Sequence, residues 1–257
     1  PVARSGFVAL MGRPNVGKST LLNALIREKL CATTPRPQTT RKRFRGVLQV
    51  GSSQAVLVDT PGLFDGAVLQ GTGLAGFGEL GAYMAAESRS AAADADVVVW
   101  VEEAVPARGG GVPEVTPVQA AIAGLLKDTG RPVVLALNKV DAIPKHILLP
   151  YLEAWNAVMP FQALVPISAL KEDGLDRLLA EVLALLPAGP PLYPEGQLTD
   201  ASERAITEEI IREKAMLLTG EEVPYAVAVE VLRFDESRRD GRGGGLIEVD
   251  ATLHVEK

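Results

Sequence analysis

The sequence predicts an α/β fold with a mostly parallel sheet, because short β-branched runs alternate with stretches of helical periodicity up to about residue 190. This alternation is typical of a parallel sheet that carries helices on both faces. The expected strands are Phe7–Met11, Val47–Val50, Ala55–Val58, Val97–Val101, Val133–Leu137 and Leu164–Ile167. The expected helices are Ser19–Glu28, Leu80–Ala92, Val118–Lys127, Ile147–Val158 and Leu175–Leu186.

A proline cluster then predicts a domain boundary, because four prolines between residues 187 and 194 cannot continue a helix or a central strand. We expect one domain over residues 1–188, a proline-rich linker over 189–199 and a small α+β unit over 200–257. In that unit, Asp200 and Glu203 resemble a capping box that opens a helix, with Gly220 as its stop. A hairpin is then predicted from two strand-like runs and the turn between them, Tyr225–Phe234, Leu246–Val255 and Asp240–Gly245.

Composition excludes several classes of protein. Of the 257 residues, 47% are apolar and 23% charged, as in ordinary globular proteins. The single cysteine, Cys31, has no partner for an intrachain disulfide, and two histidines are too few for the usual zinc clusters. The longest uncharged stretch, Ala154–Leu170, contains prolines and amides, whereas a membrane span needs ~20 continuous apolar residues. With no charged-then-apolar leader, a cytoplasmic protein is expected.

Charge is distributed unevenly along the chain. The net charge is −6, and residues 200–257 carry 14 acidic against 8 basic side chains. Nucleic-acid binding would therefore depend on a local patch rather than on an overall positive field. One basic patch lies in a stretch without Asp or Glu, and it comprises Arg36, Arg41, Lys42, Arg43 and Arg45. Contact with RNA and a solvated loop explain this patch equally well.

A glycine-rich loop between the first strand and the first helix predicts a phosphate-binding site. It consists of Gly12, Arg13, Pro14, Asn15, Val16, Gly17, Lys18 and Ser19, and Thr20 follows. In this pattern backbone N–H groups wrap a phosphate, Lys18 faces the β- and γ-phosphates, and the Ser19 hydroxyl binds Mg²⁺. The position between a strand and a helix favours this interpretation over an ordinary glycine-rich turn.

Two further groups of polar residues follow predicted strands. The first is Asp59, Thr60, Pro61 and Gly62, in which Asp59 is expected to hold Mg²⁺ through water and the Gly62 N–H to bond a γ-phosphate. The second is Asn138, Lys139, Val140 and Asp141, at the edge where open α/β sheets bind ligands. The Asp141 carboxylate only accepts hydrogen bonds. Guanine offers it two donors, whereas adenine offers one donor and one acceptor, so the pattern predicts a guanine nucleotide.

Two loops have weaker signals. Ser168, Ala169 and Leu170 follow the last predicted strand, where backbone amides can meet the guanine oxygen. A loop threonine that reaches Mg²⁺ only when a γ-phosphate is bound would act as a switch. Spacing alone does not choose among the four candidates, Thr33, Thr34, Thr39 and Thr40.

In this order, the motifs resemble the five guanine-nucleotide motifs of the bacterial Era GTPase family. The matching segments are Gly12–Asn23, Pro37–Arg41, Asp59–Leu63, Asn138–Asp141 and Ile167–Ala169. Two later segments, Glu209–Lys214 and Val223–Val227, look like the start of that family's C-terminal KH domain. The resemblance implies a P-loop GTPase domain followed by the N-terminal part of a KH-like RNA-binding domain.

The resemblance also implies a function. We expect a GTP-hydrolysing switch that takes GTP and GDP with Mg²⁺, binds 16S ribosomal RNA, assists assembly of the 30S subunit and associates peripherally with the inner face of the membrane. Thr40 is implied as the switch ligand of Mg²⁺ beside Ser19 and Asp59, with Thr39 second. Leu63 stands where Ras-like GTPases carry a catalytic glutamine. Asn15 is implied to hold K⁺, so the expected catalytic residues are Lys18, Thr40, Gly62 and Asn15.

Three features depart from the family pattern. The stretch after Leu63 is long and glycine-rich, and Gly109–Gly111 resembles an enlarged loop. No RNA-clamping Gly-x-x-Gly loop follows Val255, and Gly241–Gly244, which has the right spacing, falls inside the predicted hairpin turn. RNA binding by this chain is therefore implied by the resemblance alone.

Other functions remain open at this point. A GTPase with a different RNA client, in tRNA modification or large-subunit assembly, is opposed by the KH-like segments. A non-hydrolysing RNA-binding or scaffold module is opposed by the presence of four residues, Lys18, Ser19, Asp59 and Asp141. An ATP-using kinase is opposed by Asp141.

Overall fold

A six-stranded sheet organises the larger part of the molecule. The structure is a computed structural model that describes residues 2–34, 40, 43–63, 78–105, 114–219, 227–239 and 245–255. The strands are β1 (Ser5–Met11), β2 (Phe44–Val50), β3 (Ser53–Asp59), β4 (Val97–Glu103), β5 (Val133–Asn138) and β6 (Ala163–Pro166). Their order is β2-β3-β1-β4-β5-β6, with β2 antiparallel to β3 and every other pair parallel. The prediction of a mostly parallel α/β sheet is confirmed.

Helices connect the parallel strands, and a separate hairpin ends the described chain. The helices are α1 (Lys18–Ile26), α2 (Gly78–Asp94), α3 (Pro117–Thr129), α4 (Leu148–Asn156), α5 (Leu175–Leu185) and α6 (Glu203–Leu218). The hairpin strands are β7 (Val227–Arg239) and β8 (Gly245–Val255), paired antiparallel. The helix expected from Leu80 to Ala92 begins two residues earlier, at Gly78, and ends at Asp94. The helix expected from Ile147 begins only at Leu148, after a short 3₁₀ helix over Lys145–Ile147.

Both faces of the large sheet are buried, because alternate residues of a strand point to opposite sides. On one face, Trp100 of β4 packs among residues of α2, α3 and α4, with its ring 5.1 Å from that of Trp155 in a T-shaped contact. On the other face, Val99 lies in a cluster with residues of α1 and α5. The helices thus fix the carboxyl ends of the strands, from which the candidate site is built.

The predicted cap of the last helix is wrong by two residues. Ser202 is the N-cap of α6, and its hydroxyl accepts the Ala205 N–H at 3.2 Å. Asp200 instead accepts hydrogen bonds from Arg45 at 2.8 Å and from the Tyr193 hydroxyl at 3.1 Å. The Asp200 carboxylate, which the local pattern assigned to the start of the helix, therefore binds Arg45 of the first sheet instead.

The proline-rich stretch runs along the first sheet. Val47 N donates to Leu198 O at 2.8 Å, and the side chain of Gln54 accepts the N–H groups of Leu192 and Tyr193 at 2.8 and 2.9 Å. Several expectations lie outside the described residues: Arg36–Thr39, Arg41, Lys42, the glycines from Gly66 to Gly76, Gly109–Gly111, Gly220, Tyr225 and Asp240–Gly244.

Candidate nucleotide-binding site

The predicted motifs come together at one edge of the sheet. The loops that follow β1, β3, β5 and β6 lie at the carboxyl ends of parallel strands, and they surround a cavity of about 450 Å³. The predicted residues that line it are Pro14, Asn15, Gly17, Lys18, Ser19, Thr20, Thr40, Gly62, Lys139 and Leu170. Of the other predicted residues, Asp59 and Asn138 end β3 and β5, and the rest belong to the same loops: Gly12, Arg13, Val16, Thr60, Pro61, Asp141, Ser168 and Ala169.

The phosphate loop takes a conformation that requires its glycines. Gly12 and Gly17 have φ of 145° and 99°, and Asn15 lies in the left-handed region at 62°. A Cβ on Gly12 would lie 2.2 Å from the Val101 carbonyl oxygen, and one on Gly17 would lie 2.4 Å from the Asn138 amide nitrogen. Residues larger than glycine are therefore excluded at both positions by sterics as well as by backbone conformation.

Four carbonyl groups of this loop accept hydrogen bonds from side chains. Lys18 Nζ donates to the carbonyl oxygens of Gly12 at 3.2 Å and Arg13 at 2.9 Å. Lys139 Nζ donates to Asn15 O at 2.7 Å, and the Asn138 side chain donates to Val16 O at 2.8 Å. In a trans peptide the N–H points away from the carbonyl. Fixing the carbonyls therefore turns the N–H groups of the same peptides the other way, as an anion site requires.

Lys18 carries its charge in a buried position. The side chain lies 6% exposed at the start of α1. Burial lowers the pKa of Lys18 to about 8, against the opposing effects of the carboxylates of Asp59 and Glu102. A phosphate beside this ammonium group would favour its charged form.

Ser19, Thr40 and Asp59 form a cluster of oxygen donors. Ser19 Oγ donates to Asp59 Oδ2 at 2.6 Å and lies 2.8 Å from Thr40 Oγ1, which is itself 3.2 Å from the same carboxylate oxygen. Burial raises the pKa of Asp59, while Lys18 and the two hydroxyls act in the opposite direction. The cluster brings together Thr40, chosen from the resemblance, and the two metal ligands predicted from the motifs. Thr33 and Thr34 also line the cavity.

This donor set fits Mg²⁺. The second carboxylate oxygen, Asp59 Oδ1, is buried and makes no hydrogen bond within the described residues. Hard oxygen ligands of this kind suit Mg²⁺, which commonly takes one or two protein ligands together with phosphate oxygens and water. Within the described residues, no three or more His, Cys, Asp and Glu side chains are grouped so that they could hold a metal ion, so nucleotide oxygens and water would complete the coordination here.

The loop after β3 is tied to the phosphate loop. The Thr60 hydroxyl donates to Leu10 O at 2.7 Å. Its side chain is therefore engaged within the protein, and only its backbone is available to a ligand. A Cβ on Gly62 would lie 2.7 Å from Pro14 N. Leu63 donates its N–H to Gly12 O at 3.1 Å, and its side chain is buried in the core. Leu63 therefore cannot present a group to an attacking water.

The Asn138 side chain joins three of the loops. It is 2% exposed, donates to Val16 O and accepts the Ala169 N–H at 2.9 Å. Asp141 lies on the surface in a 3₁₀ helix over Val140–Ala142. Ser168 is buried, whereas Leu170 is exposed at the cavity wall. Asn138 thus holds the phosphate loop and the last loop in register, a role that the motif alone does not reveal.

Two glutamates at the end of β4 were missed by the sequence reasoning. Glu102 is completely buried and accepts a hydrogen bond from Arg13 Nε at 3.0 Å. Glu103 holds Lys139 Nζ at 2.6 Å. Arg13, expected to contact nucleotide, therefore directs its guanidinium group at β4 and leaves only its backbone for phosphate. The sequence feature that could have revealed these two glutamates is their position at the end of a continuous apolar strand.

Comparison with known proteins agrees with this geometry. Residues 7–139 match the family model described as 50S ribosome-binding GTPase, which identifies a P-loop GTPase domain in the chain. GTPase Era of Geotalea uraniireducens (strain Rf4) is 41% identical over 256 residues, covering 99% of this chain and 78% of that protein. GTPase Era of Geobacter metallireducens is 42% identical over 254 residues, with the same coverage. The chain belongs to the Era GTPase family.

Solved structures show the same relationship over nearly the whole chain. An Era variant of Aquifex aeolicus bound to GDP·AlF₄⁻ has a TM-score of 0.83 at 32% identity, covering 99% of this chain and 80% of that one. Era in complex with MgGDPNP and nucleotides 1506–1542 of 16S ribosomal RNA has a TM-score of 0.84 at 33% identity, with the same coverage. The family predicted from the motifs is confirmed, and GTP hydrolysis is the activity of that family.

Proposed function

We propose that the cavity binds GTP and GDP with Mg²⁺ and that the chain is a switch that binds 16S ribosomal RNA and assists assembly of the small ribosomal subunit. The observation that carries the nucleotide part is the cluster of Ser19, Thr40 and Asp59 beside the buried Lys18. Mg²⁺ bound there would neutralise phosphate charge. The Thr40 hydroxyl would link the state of the switch loop to the γ-phosphate.

Asp141 provides the sharpest test of base recognition. A carboxylate that accepts from guanine N1–H and the 2-amino group loses one acceptor when it becomes an amide. Asp141→Asn should therefore weaken GDP binding and strengthen binding of xanthosine diphosphate, which has a carbonyl oxygen in place of the amine. Asp128→Asn, at an exposed position on α3, is the matched control. Equal GDP affinity in the two variants would refute the proposed role of Asp141.

K⁺ is part of the proposal through Asn15. This residue and Lys18 both line the cavity, and Asn15 has a left-handed backbone conformation with φ of 62°. A monovalent cation there would supply positive charge in place of an arginine finger. GTP turnover should fall when KCl is replaced by NaCl, and Asn15→Ala should remove that difference. Turnover that is indifferent to the cation in both proteins would contradict it.

RNA binding rests on the relatives and on the second unit. One helix, α6, packs on strand β7 of the hairpin, in the part that we propose as the N-terminal part of a KH-like domain, residues 200–257. It follows a proposed domain over 1–188 and a linker over 189–199. The structural neighbour with an RNA fragment matches this chain over 99% of its length. Binding of a 16S fragment that ends at the 3′ terminus, against a fragment of equal length from 23S ribosomal RNA, tests the assignment.

A large-subunit client is the second candidate, because the matching family model is described as 50S ribosome-binding. That model covers only residues 7–139, whereas the Era relatives match nearly the whole chain. Preferential retention of the 23S fragment would favour this alternative.

The proposal places the protein in the cytoplasm, where ribosomal subunits assemble, with peripheral contact to the membrane as a further element. None of the helices in the described residues has the length and hydrophobicity to cross a bilayer. Sedimentation with anionic lipid vesicles tests the peripheral contact.

A further inference from the structure

A buried carboxylate of the second unit reaches across to the first. Glu213, on α6, is 2% exposed. Its Oε1 accepts a hydrogen bond from Lys29 Nζ at 2.6 Å, and its Oε2 accepts the backbone N–H of Thr33 at 2.9 Å. Burial raises the pKa of Glu213, but these two donors outweigh burial and leave the pKa below its usual range. Both oxygens are thus occupied by donors from the segment that follows α1.

That segment forms part of the wall of the nucleotide cavity. Ala32, Thr33 and Thr34, which lie in the sequence between the phosphate loop and Thr40, line the cavity. At its start, Asn23 of α1 accepts the N–H groups of Leu30 and Cys31, both at 3.0 Å. The wall is therefore held at one end by α1 and at the other by a residue of α6.

The neighbouring charges of α6 are occupied within the helix or by the hairpin. Arg212 and Glu209 form an ion pair on α6 itself. Glu208 accepts the Val231 N–H of β7 at 3.2 Å. Glu213 is therefore the carboxylate of this helix that the described contacts direct at the cavity wall.

We propose that Glu213 is a positioning residue for the nucleotide site, which holds the wall over residues 32–34 and thereby slows nucleotide release. Hydrogen bonds to a charged group are among the stronger ones, and a segment held by two of them opens less often. Coupling between two sites is reciprocal. Bound nucleotide should therefore stabilise the contact between α6 and Thr33. This inference rests on the proposed nucleotide site.

Release of a fluorescent GDP analogue from the full chain, chased with excess GDP in Mg²⁺, tests the proposal. Glu213→Ala should accelerate release at least about fivefold, the lower end of typical coupling. Glu213→Gln should lie between Glu213→Ala and the unchanged protein, because the amide oxygen still accepts the Thr33 N–H. Glu208→Gln, which alters only the contact between α6 and β7, should release at the original rate.

Two further measurements separate positioning from a general structural role. Lys29→Met should accelerate release less than Glu213→Ala, and its effect should be non-additive with Glu213→Gln, as expected for direct partners. Saturating GDP should slow amide hydrogen exchange at Thr33 in the unchanged chain but not in Glu213→Ala. If Glu213→Ala does not fold, Glu213→Gln and Lys29→Met decide the result.

The outcomes are distinct. Tight GDP binding with the original release rate in all Glu213 variants would overturn the proposal and leave the nucleotide site intact. Failure of the unchanged chain to bind GDP would overturn the proposed nucleotide site, and this inference with it.

Discussion

The ion pair between Arg13 and Glu102 predicts an unequal cost for the loss of its two members. The Glu102 side chain is completely buried, whereas that of Arg13 is 29% exposed. Removal of Arg13 leaves a buried carboxylate to which, among the described residues, the Glu103 N–H at 3.2 Å still donates. Removal of Glu102 instead leaves a guanidinium group that reaches water and lies 3.9 Å from the Glu103 carboxylate.

The magnitudes follow from this difference in burial. Breaking a buried pair so that an uncompensated charge stays inside costs about 3–5 kcal/mol, which is the loss expected for Arg13→Ala. Glu102→Gln keeps the shape and one acceptor, so its cost should be that of a charge-assisted hydrogen bond, about 1.5–3 kcal/mol. Arg45→Ala is the control, since its ion pair with Asp200 is exposed and should contribute at most about 1 kcal/mol.

Urea unfolding of the nucleotide-free protein measures these differences, provided that the dependence on denaturant is unchanged between variants. We expect the free energy of unfolding to fall most for Arg13→Ala, less for Glu102→Gln and least for Arg45→Ala. The reasoning is refuted if Arg13→Ala costs no more than Glu102→Gln, because burial of the remaining charge would then not decide the outcome.

Three other expectations concern the cavity. Burial lowers the pKa of Lys18 to about 8, and a bound phosphate favours the charged amine. GDP affinity should therefore be constant below pH 8 and fall by up to about tenfold per pH unit above it. Titration of GDP binding from pH 6.5 upward checks this, and a flat profile contradicts it. Gly62→Ala should lower GTP turnover far more than GDP affinity, because its Cβ would meet Pro14 N at 2.7 Å and displace the Gly62 N–H that we propose bonds the γ-phosphate, which GDP lacks. Leu63→Gln should cost about 1–3 kcal/mol in urea unfolding and give no gain in turnover, because the side chain lies in the core; faster hydrolysis would contradict its placement.

Sequence reasoning located the strands well but not their ends, and β4 shows why. The apolar run predicts a strand that stops at Val101, yet β4 continues to Glu103. Glu102 can be buried because Arg13, 89 positions earlier, supplies its partner. Nothing within a local window reveals that contact. Asp200 is the converse case, since a contact with Arg45 removes it from the helix end that the local pattern predicted.

In the candidate site, too, local sequence patterns predicted some residues and missed those that depend on long-range contacts. Residue types at strand ends predict which groups meet, because the carboxyl ends of parallel strands share one edge. Lys18, Ser19, Asp59 and Lys139 were found in this way. The hydrogen bonds by which Asn138 joins two loops, and by which Glu213 holds the cavity wall at Thr33, form between segments distant in sequence. Such contacts follow from packing and not from any pattern along the chain.

The charge balance around the phosphate loop bears on how hydrolysis is completed. Arg13 is held by Glu102 and Lys139 by Glu103, whereas Lys18 forms no ion pair with a carboxylate within the described residues. Lys18 is thus the cation of this loop that is available to phosphate oxygens. Charge that develops on the transferred phosphoryl group needs further compensation, which many GTPases obtain from an arginine finger. Within the described residues the Arg13 guanidinium is committed to β4 and does not supply this charge. We therefore propose that bound cations supply it, with Mg²⁺ at Ser19, Thr40 and Asp59 and K⁺ at Asn15.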